Sequence, residues 1–83
     1  MGKEYVYVLI EENDLESESY SEVITVMKDK EKIRKELKAR VEVAKNDLNY
    51  KEDRDEIDVQ EDKFYVENKT STITGRIERH IVE

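Results

Sequence analysis

Few residues in this chain have the chemistry of a reaction site. His80 is the single histidine and cysteine is absent, so a nucleophile would have to be serine, threonine or lysine, served by His80 or a carboxylate. Ser17, Ser19, Ser21 and Ser71 stand in no nucleophile motif, and carboxylates are so numerous that no one pair stands out. Asp53-Arg54-Asp55-Glu56-Ile57-Asp58 has the acid density of a calcium loop. An EF-hand needs Gly at its sixth position and Glu at its twelfth, and counting from Asp53 these are Asp58 and Phe64, so the motif fails. Gly2 and Gly75 are the only glycines, which excludes a glycine-rich phosphate loop. Without cysteine there is neither a disulfide framework nor a thiolate metal site. The expectation is a protein without catalysis, cofactor or metal, whose function lies in binding. Binding surfaces depend on the elements that carry them.

Those elements are legible in the apolar pattern. The chain has 83 residues, enough for one small domain, and 45% of them are charged. Such charge is typical of disorder, but here the apolar residues cluster into runs that burial can use. Glu4 to Ile10 is predicted as a strand, apolar on both faces and therefore expected in the middle of a sheet. Glu11 to Ser19 is polar and is predicted as the connection to a second strand, Tyr20 to Met27. Asp29 is a helix N-cap by type, with Glu31 favourable in the first turn. Ile33, Leu37, Val41, Ala44 and Leu48 then trace one face of a helix that Asn49 would stop. In the acidic stretch from Tyr50 to Lys63, Ile57 and Val59 form either a short strand or an anchor for a loop. Phe64 to Glu67 and Thr72 to Val82 are predicted strands around an Asn68–Ser71 turn, with Gly75 marking a bulge or a close approach. The predicted fold class is α+β, a ββαββ chain with a mainly antiparallel four-stranded sheet and one helix on one face.

Strand alternation divides the side chains between the faces. One set (Val6, Val8, Ile10, Ile24, Val26, Phe64, Val66, Ile73, Ile77 and Ile81) is almost wholly aliphatic and is predicted to lie under the helix. The other carries Tyr5, Tyr7, Leu9, Val23, Met27 and Tyr65, rimmed by Arg76, Glu78 and His80. One helix cannot cover both faces, so this second set is predicted to be exposed. Tyr, Met and Arg are enriched at interfaces, and monomers seldom leave a large apolar patch uncovered. The expected occupant is another protein or a second copy of the chain.

Charge is segregated. Residues 1–22 hold seven acids and one base, residues 28–40 three acids and seven bases, and residues 41–63 nine acids and four bases. The net charge is −7. The basic stretch 28–40 admits weak nucleic-acid binding, but the overall field opposes a phosphate backbone and no recognition motif accompanies it. The acidic stretches, with Asp53, Asp55 and Glu56 at their centre, favour a basic protein partner and could imitate a phosphate backbone. No apolar run is long enough for a membrane span. The first 20 residues show neither a basic n-region nor an apolar core, which sets the expectation of a cytoplasmic protein and leaves the Asn68-Lys69-Thr70 sequon a chance match.

As a whole the chain resembles the short acidic ββαββ proteins encoded by bacteriophages and mobile elements. The likeness rests on Lys3-Glu4-Tyr5-Val6-Tyr7-Val8-Leu9-Ile10, the basic-headed helix after Met27, the acidic loop, and Phe64-Tyr65-Val66-Glu67-Asn68. It spans nearly the whole length and carries over no functional residue. Some proteins of that kind inhibit host defence nucleases or bind host enzymes, so the resemblance implies a small inhibitor or adaptor acting on a host protein.

Overall fold

The helix forms where the apolar period requires it. The computed structural model describes residues 3–82. Helix α1 spans Lys30–Asp47, and the Asp29 carboxylate accepts from the Glu31 and Lys32 amides, satisfying two donors that the first turn leaves free. At the other end Asn49 adopts a left-handed φ of 51°. The Tyr50 amide donates to the Lys45 carbonyl and the Asn49 amide to that of Asn46, the paired bonds of a Schellman stop. Ile33, Leu37, Val41, Ala44 and Leu48 are all buried, as their spacing predicts.

Among the described residues five strands form one antiparallel sheet: β1 (Glu4–Asp14), β2 (Ser19–Met27), β3 (Glu56–Val59), β4 (Lys63–Glu67) and β5 (Thr72–Val82). Their order is β2-β1-β5-β4-β3. The α+β class holds, with the predicted hairpins β1–β2 and β4–β5 in place. The count of four strands is corrected to five, because Ile57 and Val59 pair with Val66 and Phe64 as strand β3. β5 takes the central place expected for β1, which lies between β2 and β5. Helix α1 lies across β1, β2, β4 and β5. Its apolar stripe closes a core with Leu9, Phe64, Val66 and Ile73. Burying each such large side chain contributes roughly 1.5–3 kcal/mol.

The phase of β1 is the opposite of the predicted one. Leu9 is fully buried and stands opposite Ile77, so Tyr5, Tyr7, Leu9, Glu11 and Asn13 point toward the helix side. Val6, Val8 and Ile10 face away, and so does Val26, opposite Val8. The run Tyr5–Ile10 is apolar at every position and cannot set its own phase. Beyond it the phase is decided by Glu11, which is 2% exposed and receives a two-pronged ion pair from Arg40 of the helix, at 2.5 and 2.9 Å. That pair lets the strand run through the acidic stretch predicted as a connection, ending only at Asp14. The remaining loop, Leu15–Glu18, closes on a bond from the Leu15 amide to the Glu18 carbonyl.

Gly75 marks a close approach by an aromatic ring. It is buried opposite Phe64, whose ring occupies the space a β-carbon would take. Asn68 accepts from the Thr70 and Ser71 amides to shape the predicted turn, and its amide donates to the Leu48 carbonyl at 2.7 Å, tying the turn to the helix end.

Candidate functional site on the open sheet face

Strand register maps the face that the helix leaves bare, since residues directly opposite across strands share a face. Running across the sheet, one row is Ser19, Asp14, Thr72, Glu67, Glu56, and the next is Ser21, Glu12, Thr74, Tyr65, Asp58. Then come Val23, Ile10, Arg76, Lys63, followed by Val26, Val8, Glu78 and finally Val6 beside His80. The face therefore has two halves. Val6, Val8, Ile10, Val23 and Val26 form a contiguous aliphatic patch on β1 and β2, with Val23 60% and Val26 55% exposed. Toward the other end lie the carboxylates of Glu12, Asp14, Glu56, Asp58 and Glu67.

Arg76 stands at the border. Its guanidinium reaches Glu12 at 2.9 Å and Glu78 at 2.8 Å, and Glu78 also bonds His80 at 3.1 Å. Hydrogen bonds from Arg76 and then His80 hold the Glu78 carboxyl below its ordinary range. The Tyr65 hydroxyl donates to Glu67, which pushes the phenol up to about 12, with burial adding to the shift. A depression of about 450 Å³ lies between these groups, lined by Glu12, Asp58, Lys63, Tyr65, Thr74 and Arg76 among others. A second, of about 500 Å³, opens at the turn end beside Asp14, Glu56, Glu67 and Lys69.

Of the residues predicted for partner binding, Val23, Tyr65, Arg76 and His80 are on this face. Tyr5, Tyr7, Leu9 and Met27 are not: Leu9 is core, Tyr7 and Met27 pack against the core, and Tyr5 lies on the helix side under the Arg79 guanidinium, 4.7 Å from its ring centroid. Asp53 is exposed in the α1–β3 loop and Glu56 is exposed on β3. Asp55 is turned inward, its side chain 3% exposed and accepting from the Lys51 amide at 2.7 Å. Sequence reasoning missed Val6, Val8, Ile10 and Val26 as surface residues. The signal was the odd-numbered series Leu9, Glu11, Asn13 continuing opposite Ile77, Gly75 and Ile73.

The basic stretch is partly spent within the fold. Arg40 is committed to Glu11, and Arg34 to Asp62 at 2.9 Å and Glu61 at 3.3 Å, which fastens the β3–β4 turn to the helix. Lys30, Lys32, Lys35 and Lys38 remain on the exposed helix surface. Ser19 donates to Asp14, and the Ser71 hydroxyl accepts from the Glu16 amide. Among the described residues no group of three or more histidine and carboxylate side chains converges as metal ligands, and no helix is long and apolar enough to cross a membrane. Comparison with protein-family models, with curated proteins and with solved structures finds no match.

Proposed function

We propose that this chain is a small acidic protein-binding module, of the inhibitor or adaptor kind that its resemblance to phage proteins implies, and that it binds through the open sheet face. One observation carries the reading. An uncovered aliphatic patch of five side chains adjoins a set of carboxylates on the same flat surface. The apolar half gains from leaving water, and the acidic half selects and steers a cationic partner. A segment that presents an apolar stripe beside lysines or arginines fits both halves at once.

The test uses a synthetic helical peptide of leucine and lysine, with a leucine–glutamate peptide of identical apolar stripe as its counterpart. Calorimetry should show binding of the basic peptide alone, weakening as salt is added. Val8→Ser should lower the affinity about tenfold, equivalent to ~1.4 kcal/mol. Equal affinity for both peptides, or amide shifts confined to the helix surface, would count against the reading.

A further inference from the structure

The two outer strands of the sheet are finished differently. β3 is four residues long and carries Glu56 and Asp58. A short, charged edge is poor at recruiting another strand. β2 is nine residues long, and Glu22 is its single charged residue. It has no proline and no lysine, and its unpaired flank is a row of backbone donors and acceptors beside exposed Val23 and Val26. Its one irregularity is a bulge at Ile24, where Leu9 pairs with Thr25 but Ile10 pairs with Val23.

We propose that this edge pairs with the same edge of a second copy, antiparallel, about a two-fold axis perpendicular to the sheet and passing between Ile24 and Thr25. The register follows from which way each residue faces. Tyr20, Glu22, Thr25 and Met27 face the helix side, and Ser19, Ser21, Val23 and Val26 face the open side. Ile24, the extra residue, packs against the core and so shares the helix side with Thr25. Under this axis every opposed pair from Glu22 to Met27 is like-facing: Val23 meets Val26, Ile24 meets Thr25, and Glu22 meets Met27 of the other copy. Moving the axis onto Ile24 sets Val23 against Thr25, and moving it onto Thr25 sets Ile24 against Val26. Both place side chains on opposite faces of one pair, which an antiparallel ladder does not allow. The bulge is what makes the longest consistent pairing self-complementary.

Charge agrees with this seam. No like charges oppose each other across it: Glu22 stands opposite Met27 of the second copy, and Lys28, whose own partner is Glu4 on the open side, stands opposite Ser21. Away from the seam each chain carries net charge −7, so two copies repel at long range and added salt strengthens their association. The joined sheet has ten strands with both helices on one side. The two aliphatic patches meet at the axis, so the dimer presents one continuous apolar band flanked by carboxylates at both ends. This goes beyond the open-face reading and does not depend on it.

The chain has no cysteine, so single substitutions make clean probes. Sedimentation of the full chain from micromolar to millimolar concentration should show a dimer whose dissociation constant falls as salt rises. Under oxidising conditions a mixture of the Val23→Cys and Val26→Cys variants should yield cross-linked dimer and neither variant alone should, because each β-carbon then lies opposite the other's site and too far from its own copy. Both positions are exposed, so folding is checked by circular dichroism before mixing. A strict monomer overturns the proposal, and so does a dimer that cross-links as readily in either variant alone. Val8→Ser should weaken the basic peptide and leave the dimer intact, so the two readings fail separately.

Discussion

Glu11 and Glu12 are neighbours in sequence and opposites in circumstance. Glu11 points to the helix side, is almost wholly buried, and is gripped by both prongs of Arg40. Glu12 points to the open side, where Arg76 meets it at 2.9 Å with both side chains about half exposed. The two pairs differ in geometry, two contacts against one, and water makes them differ further in energy. At Glu12 the solvent can replace Arg76 at little loss. At Glu11 nothing can replace Arg40, because a buried carboxylate without its cation keeps the whole desolvation penalty. The helix side thus fixes the structure, while the charge pairs of the open side stay in contact with water.

The largest effect expected from this contrast is at Arg40. Arg40→Met should destabilise the chain by about 3 kcal/mol, since it strands the Glu11 carboxylate. Arg76→Met should lose no more than ~1 kcal/mol. Urea denaturation of the two variants measures both. The double substitution Glu11→Leu with Arg40→Met should recover most of the loss, because it removes the buried charge together with its partner. Equal losses at Arg40 and Arg76 would dissolve the distinction between the faces.

The same contrast explains what could be read from sequence and what could not. Helix α1 was legible in full because its apolar spacing, its Asp29 cap and its Asn49 stop agree with one another. β5 was legible to the residue, since Ile73, Gly75 and Ile77 alternate with Thr74 and Arg76. β1 resisted because Tyr5–Ile10 offers apolar side chains to both faces, so the alternation signal vanishes where it is most needed. Its continuation, Glu11–Asp14, looks like solvent-exposed chain until Arg40 is placed 29 positions away in sequence to neutralise Glu11. The open face was therefore expected correctly as a feature, with Val23, Tyr65, Arg76 and His80 on it. Its β1 occupants were inverted, tyrosines standing where the fold puts valines. β3 was obscured for a related reason: Glu56 and Asp58 alternate with Ile57 and Val59 over only four residues, too few to separate an edge strand from a loop.

A middle-sized effect is expected at Gly75, on the helix side between Thr74 and Arg76 of the open side. A methyl group added there overlaps the Phe64 ring, which is itself buried and cannot swing away freely. Gly75→Ala should destabilise by about 2 kcal/mol through overpacking. Thr74→Ala, one residue along on the open face, should stay within ~0.5 kcal/mol. Adding Phe64→Leu to Gly75→Ala should give less than the sum of the two single losses, because the shorter side chain vacates the contested space. Additive losses would mean that the ring does not set the requirement for glycine.

The smallest effect belongs to the open face alone and is read through pH. Arg76 and then His80 favour the charged form of Glu78, so its carboxyl gives up its proton more readily in the folded chain than at its ordinary value of 4.5. A depressed folded-state pKa contributes stability that is fully present above the unfolded value and disappears as pH falls through the folded one. The advantage of the parent chain over Glu78→Gln should therefore shrink as pH falls below 4.5 and the Glu78 carboxyl takes up its proton. Because the Glu78 side chain is 37% exposed and screened by water, added salt should reduce the same advantage at neutral pH. Denaturation midpoints of the two proteins across pH, at low and high salt, measure this directly. A difference that neither acid nor salt diminishes would show that Glu78 stabilises by packing, and that the charges of the open face are as firmly built in as the pair beneath the helix.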